Sequence, residues 1–295
     1  MKNYRILLLL IAGVLSFGNV NAQSDTPIDS TLFTVGYKFR INTKDADGMP
    51  VVDSLQTVVL VGQNYVKTMG YYCFWTKING ETQETFDAMA AEEKAHVPTI
   101  LTNVAEGKMT VYEDIPVHHY VYEEDGNIEW TILEDTMTIN GFLCTKSTTS
   151  YAGRKWTAWF AEEVASTAGP WKFHGLPGLI VKCTDDEAIF SFELFELVNR
   201  TFPVVMEEAK RPNMKIKREK FIERRNKLFL NPRYMEDPLY YYTKNDADHS
   251  GYSLWSIEKT PRNPDGSISL SYLTKVINGV AIPWKCNQYQ PLEKE

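Results

Sequence analysis

The sequence offers few residues whose types and spacing could perform catalysis. It contains no Gly-x-Ser-x-Gly nucleophile elbow, and His249-Ser250 are neighbours in the chain rather than members of a catalytic triad. No cysteine lies in a known Cys/His catalytic signature. We therefore predict no catalytic residue, and an uncharacterised enzyme is kept only as the last of three functional alternatives.

The five histidines lack the spacing of metal ligands. His118 and His119 are adjacent, and neighbours in a strand point to opposite faces, so one ion could not readily bind both. The HExxH, CxxC and EF-hand patterns are also missing from the sequence. The sequence predicts neither a metal site nor a cofactor.

The charged residues suggest a docking surface rather than a reaction centre. The acidic pairs Glu123-Glu124 and Asp185-Asp186 lie near turns, where solvated surface is expected. The segment 207–227 carries nine Lys or Arg against four Asp or Glu in a chain of net charge −7. It could dock an acidic partner or lipid phosphates, although a solvated helix surface explains the charge equally well. The candidate docking residues are Lys217, Arg218, Arg224 and Arg225.

Residues 1–22 have the pattern of a secretory signal peptide. Lys2 and Arg5 precede an apolar run over 6–15, and Ala22 offers a cleavage site. The run is too short for a membrane span. We predict an exported protein, periplasmic or secreted, that does not span the membrane. Its mature net charge of −9 argues against nucleic acid as a partner.

The cysteines are expected to pair, because exported proteins form disulfides. Four cysteines allow three connectivities, and their spacing does not choose among them. The candidates are Cys73, Cys144, Cys183 and Cys286.

Alternation of apolar and polar residues predicts a sheet-rich fold. Every odd residue of 33–41 is apolar, which is typical of a strand with one solvated face. Hairpin turns are expected at Asn79-Gly80, 125–127 and Asn278-Gly279. Short helices are expected over 84–95 and about 217–230. We predict a mainly β (α+β) domain over 23–295, built as a curved antiparallel meander that could form a half-barrel with one or two helices packed on it.

The stretch GPWKFHGLPGLI, residues 169–180, reads as strand, tight corner and strand. Trp171 and Phe173 would share one face of an extended segment, with Lys172 and His174 on the other. Pro177-Gly178 fits the centre of a type II turn, in which the glycine has positive φ. The stretch lacks the pattern of a phosphate-binding loop.

Residues 140–180 resemble the GLPGLI family of exported bacterial proteins. The matching elements are G-x-x-C-x-K, then GR-x-x-x-AWF, which includes Arg154 and Trp159, and then GPWKFHGLPGLI. The resemblance implies an exported protein and supplies no catalytic residues. The W-x-x-W strand and the Pro-rich corner are also similar to periplasmic lipoprotein carriers, which implies an apolar concavity on a curved sheet.

Large aromatic residues are the best lead to function. They either fill the core or line an apolar groove. The candidate ligand contacts are Trp156, Trp159, Phe160, Trp171 and Phe173. The favoured hypothesis is a non-catalytic envelope binding protein that holds a lipid-like or peptide ligand, and it predicts an aromatic-lined concavity of roughly 300 Å³ or more. A structural or assembly partner of an outer-membrane complex is the second alternative.

Overall fold

The computed structural model describes residues 27–44, 48–79, 97–115, 118–205, 213–230, 274–277, 280–283 and 292–294. The predicted signal peptide, the predicted helix over 84–95 and Cys286 lie outside these residues. The extent of the single predicted domain also stays a prediction.

The described chain is mainly β, as the alternation predicts, with two short helices. The helices are α1 (Tyr71–Asn79) and α2 (Arg218–Leu230). The strands are β1 (Pro27–Lys44), β2 (Pro50–Gly62), β3 (Tyr65–Gly70), β4 (Thr99–Asn103), β5 (Lys108–Ile115), β6 (His118–Asp125), β7 (Thr131–Ile139), β8 (Phe142–Tyr151), β9 (Arg154–Ala161), β10 (Leu179–Asp185), β11 (Phe190–Val198), β12 (Pro203–Val205), β13 (Met214–Lys215), β14 (Thr274–Ile277) and β15 (Val280–Pro283).

One large sheet contains thirteen of these strands in the order β13-β6-β5-β4-β3-β2-β1-β11-β10-β9-β8-β7, with β12 beside β1. Two meanders, β1 to β6 and β7 to β11, are joined by the antiparallel pairing of β1 with β11. All pairs are antiparallel except the short β13–β6 pair. β14 and β15 pair with Ile277 opposite Val280, as the hairpin predicted at residues 278–279 requires.

The connection from β6 to β7 shows how strongly the sheet curves. These strands lie near opposite ends of the sheet, so the hairpin predicted at 125–127 is wrong. Ten strand spacings separate them, which is roughly 48 Å in a flat sheet. The link over 126–130 reaches at most about 22 Å. The sheet must therefore curl until its two ends approach each other.

Both faces of the central strands are buried, which explains the continuous apolar run in β2. Val59 and Val61 face the larger cluster, here called the main core, whereas Val58 and Leu60 face a second cluster under α1. Helix α2 occurs where it is predicted, and its Phe221 packs in the main core.

Helix α1 is not predicted by the sequence, and it replaces the expected strand and hairpin before Gly80. Its aromatic residues suit a strand by propensity. In a helix, however, Tyr71, Phe74 and Trp75 share one side at spacings of three and four. Phe74 is buried in the cluster under α1, so tertiary packing overrides the local preference. Within the described residues, no helix is long and apolar enough to cross a membrane.

The three cysteines that the structure describes do not pair with one another, and a pairing with Cys286 lies outside the described residues. Cys73, Cys144 and Cys183 are buried, and none is joined to another by a disulfide. Cys144 lies on β8 and Cys183 on β10, with β9 between them. Two strand spacings amount to roughly 10 Å, beyond the reach of a disulfide. Burial raises the pKa of both thiols, so they behave as small apolar side chains.

Candidate functional site

The GPWKFHGLPGLI segment folds back onto the main core instead of extending as a strand. Trp171, Lys172 and Phe173 are all buried, so the predicted extended segment with Lys172 on the face opposite the two rings is wrong. The Phe173 amide donates a hydrogen bond to the Pro170 carbonyl at 3.0 Å, which closes a turn. At the centre of this turn Trp171 has a φ of +53°, a conformation that bulky residues rarely adopt.

The glycines of this segment serve different purposes. Gly175 has the positive φ of +95°. Gly178 does not, so the predicted type II turn is wrong. A Cβ at Gly178 would lie 2.4 Å from the Ala161 carbonyl oxygen, and one at Gly169 would lie 2.7 Å from the Phe173 carbonyl oxygen. These two positions therefore need glycine for close backbone packing.

Four of the five candidate ligand residues lie in the main core. The Trp156 and Phe173 ring centroids are 4.7 Å apart, and those of Trp171 and Phe173 are 5.1 Å apart. Phe160 is buried in the same core, whereas Trp159 lies half-buried beside Lys146, whose Nζ is 5.9 Å from its ring. The rings of Trp156, Trp171 and Phe173 thus pack against one another. Their role in ligand binding stays a prediction.

Lys172 anchors the segment through a buried network of charges. Its Nζ lies 2.6 Å from Glu293 Oε1 and also contacts Glu124 Oε1. Arg218 of α2 closes the network, with Nε 2.8 Å from Glu124 and Nη2 2.7 Å from Glu293. The side chain of Lys172 is 0% exposed and that of Glu293 1%. The network joins the corner, β6, α2 and the segment 292–294.

The carboxyl groups around this network titrate differently because their surroundings differ. Burial alone would raise the pKa of Glu293, but the cations, Lys172 foremost, outweigh it and lower that pKa. Burial prevails at Glu124, whose pKa is raised in spite of Lys172. Burial also raises the pKa of Glu113 to about 7, against the opposing effect of Arg225.

The predicted solvation of the acidic pairs is wrong for one member of each. Glu124 belongs to the network above, and Asp185 is buried against Arg154, with 2.9 Å between Arg154 Nη1 and Asp185 Oδ2. Asp185 also accepts the Phe190 amide hydrogen at 2.7 Å. Arg154 of the GR element therefore fixes the β10–β11 corner, because it pairs with a carboxylate that itself holds the backbone.

Three of the four candidate docking residues have partners within the chain. Besides the pairs of Arg218, Arg224 donates a hydrogen bond to the Tyr120 hydroxyl at 2.7 Å, and Arg225 lies 3.4 Å from Glu113. Lys217 is exposed. Docking through this set stays a prediction, but replacing Arg218 would also disturb the buried network.

A second site, which the sequence did not reveal, lies between α1 and the sheet. We call it the α1 groove. Its volume is about 130 Å³, and its lining consists of Thr34, Val58, Tyr71, Phe74, Trp75, Glu196, Val198, Arg200 and Phe202. Phe74 and Phe202 meet edge to face at 5.0 Å. The Tyr71 hydroxyl donates to Glu196 Oε2 at 3.1 Å, and the Arg200 guanidinium lies 4.9 Å above the Phe202 ring.

The groove depends on a local irregularity of the sheet. The β1–β11 register shifts between Gly36 and Tyr37, so that Gly36 pairs with Glu196 and Tyr37 with Leu194. A Cβ at Gly36 would lie 2.7 Å from the Phe195 ring. The glycine thus leaves room for the Phe195 ring, whose centroid lies 5.6 Å from that of the Tyr71 ring. The register shift leaves Phe195 without a paired residue on β1, and alternation cannot predict such a shift.

Comparison with known proteins leaves the family open. No protein-family model matches the chain, and no curated protein matches it. Membership of the GLPGLI family therefore stays a prediction from the motif.

Among the described residues, no group of three or more His, Cys, Asp or Glu side chains is placed to hold a metal ion.

Solved structures offer only distant likenesses. PNGF-II is similar over 66% of this chain, with 9% identity and a TM-score of 0.45, and the chain spans 33% of the length of PNGF-II. A LolA superfamily protein from Nitrosomonas europaea is similar over 61% of this chain and 92% of its own, with 12% identity and a TM-score of 0.25. A DUF1329 family protein from Desulfovibrio piger shares 11% identity over 63% of this chain and 90% of its own, with a TM-score of 0.24. None of these likenesses assigns an activity or a ligand to this chain.

Proposed function

We propose that this chain is an exported, non-catalytic binding protein of the cell envelope that holds an apolar side chain of a peptide ligand in the α1 groove. The observation that carries the proposal is an aromatic cavity of about 130 Å³ outside a main core that is already filled. In the main core, the cavity beneath Trp171 has a volume of only about 10 Å³.

The volume of the groove favours a peptide over a lipid. Drug-sized ligands occupy pockets of roughly 300–1,000 Å³, whereas an engineered cavity of about 150 Å³ binds benzene. A groove of 130 Å³ therefore suits one leucine or phenylalanine side chain rather than an acyl chain.

The rim of the groove supports the same ligand class. Arg200 and Glu196 line it, so its edge can pair with either sign of charge. A peptide presents backbone carbonyl and amide groups on both sides of its apolar side chain, and these groups suit such a mixed rim. The titratable groups that converge around Lys172 line neither the groove nor the cavity beneath Trp171.

The proposal is tested by nuclear magnetic resonance with defined probes. The probes are capped tripeptides Gly-Leu-Gly, Gly-Phe-Gly and Gly-Ser-Gly, together with palmitate. We expect the Leu and Phe peptides to shift the Trp75 indole signal, and the Ser peptide to leave it unchanged.

Two variants provide the control. Val198→Trp fills the groove from its half-buried wall and should abolish the shift, whereas Val52→Trp makes the same change on β2 at a residue that is 59% exposed and should preserve it. Palmitate-induced shifts confined to Trp156 and Trp171, with no peptide effect at Trp75, would instead place the ligand in the main core and overturn the proposal.

A further inference from the structure

A positive charge lies directly against the aromatic wall of the α1 groove. The guanidinium carbon of Arg200 is 4.9 Å from the centroid of the Phe202 ring, and both residues line the groove. The Phe202 ring in turn meets Phe74 at 5.0 Å and Trp75 at 6.1 Å, in both cases edge to face. The ring that forms this wall therefore carries the guanidinium, and an apolar group bound in the groove lies close to a cation.

The guanidinium of Arg200 is available to a ligand. Among the residues that the structure describes, no carboxylate forms an ion pair with it. The backbone of Arg200 is fixed, because its amide donates to the Val198 carbonyl at 3.1 Å and its carbonyl accepts from the Thr31 hydroxyl at 2.9 Å. The other charged residue of the lining, Glu196, already accepts the Tyr71 hydroxyl hydrogen. The groove therefore offers one exposed cation on an anchored backbone.

We propose that the α1 groove recognises the C-terminus of a peptide, whose last side chain enters the groove while its carboxylate pairs with Arg200. This inference rests on the proposed function and narrows its ligand class to peptides with a free C-terminal carboxylate. The side chain and the carboxylate of a terminal residue share one Cα, so they are as close together as the groove wall and the guanidinium. The two oxygens of the carboxylate match the planar fork of the guanidinium, whereas an internal residue presents only a neutral carbonyl.

The test compares two probes that differ only at the C-terminus, acetyl-Gly-Leu with a free carboxylate and acetyl-Gly-Leu-amide. Each is titrated at pH 7, where the terminal carboxyl group is ionised, and the dissociation constant is read from the Trp75 indole signal. We expect the acid to bind about five times more tightly than the amide, as an exposed ion pair contributes. This preference should shrink as the concentration of sodium chloride is raised, because salt screens the pair.

Two substitutions assign the preference to its residue. Arg200→Gln removes the charge and should lower the affinity for the acid to that for the amide, and unchanged binding of the amide shows that the variant is folded. Arg40→Gln makes the same change at an exposed arginine of β1 that does not line the groove, and it should keep the preference.

The outcomes separate this inference from the proposed function. Equal affinities of the two probes for the wild type, or a preference that Arg200→Gln retains, would overturn the inference alone. Binding of neither probe would overturn the proposed function and the inference with it.

Discussion

Lys172 connects the GPWKFHGLPGLI segment to β6, α2 and the segment 292–294. Its ammonium group is buried between the carboxylates of Glu124 and Glu293, and its Nζ lies 5.4 Å from the Tyr122 ring and 5.5 Å from the Trp171 ring. A buried ion pair contributes modest net stability, but removing one partner leaves a charge without compensation.

Lys172→Met should therefore destabilise the protein by about 3–5 kcal/mol, because it keeps the length of the side chain and leaves Glu293 buried beside one cation fewer. Lys182→Met is the control. Its exposed pair with Glu193, at 3.2 Å, should cost at most about 1 kcal/mol. Denaturant unfolding measures both values. Equal effects of the two substitutions would show that the network is not a buried anchor.

The raised pKa of Glu113 should make the stability of the protein depend on pH. Its pKa is raised to about 7 from 4.5, so between these values the native state binds a proton that the unfolded state does not. The free energy of unfolding should then decrease as the pH rises from about 5 to about 8. Glu113→Gln should weaken this decrease, because the amide does not titrate in this pH range.

The pH range over which stability changes distinguishes Glu113 from the neighbouring carboxyl groups. Glu293 has a lowered pKa, so its contribution is lost only as the pH falls below about 4.5. Glu124 has a raised pKa and acts in the same direction as Glu113, which leaves a smaller slope in the variant. Denaturant unfolding at pH 5 and pH 8 measures the difference. A slope that is unchanged by Glu113→Gln would contradict the assignment.

At the level of elements, the 169–180 corner depends on backbone contact more than on turn conformation. Gly178→Ala would place a methyl group 2.4 Å from the Ala161 carbonyl oxygen and should cost about 3 kcal/mol or more. Gly175→Ala meets no atom within 4 Å, and it should cost only the strain of a positive φ, about 1–2 kcal/mol. Thermal unfolding ranks the two variants. A larger loss for Gly175→Ala would show that turn conformation dominates.

The same corner shows how far sequence patterns predict local structure. Alternation predicts the strands and their antiparallel pairing because it records burial on one face of a strand. Helical spacing of apolar residues likewise predicts α2 correctly. Neither pattern predicts α1, whose aromatic residues favour a strand by propensity. Neither predicts the conformation of Trp171, which tertiary contacts impose.

The candidate site was less predictable than the fold. Nothing in the sequence near Glu293 indicates that it pairs with Lys172, because the two are 121 positions apart in the chain. Likewise, the α1 groove joins residues of β1, β2, α1 and β11, and a register shift presents part of its lining. Contacts between residues so distant in sequence depend on the path of the whole chain, which local patterns do not encode.

At the scale of the whole molecule, a single curled sheet separates a filled core from an open groove. The main core receives Trp171 and Phe173 from the corner and Phe221 from α2, so side chains of the chain itself fill this face of the sheet. The opposite face, under α1, keeps a cavity lined by rings. We therefore expect a ligand to bind on the α1 face of the sheet.

Native mass spectrometry of the protein purified from the cells that express it naturally tests this claim most directly. We predict an adduct with the mass of a short peptide that is present in the wild type, retained in Val52→Trp and missing from Val198→Trp. An adduct with the mass of a lipid, or a peptide adduct that Val198→Trp retains, would contradict the account.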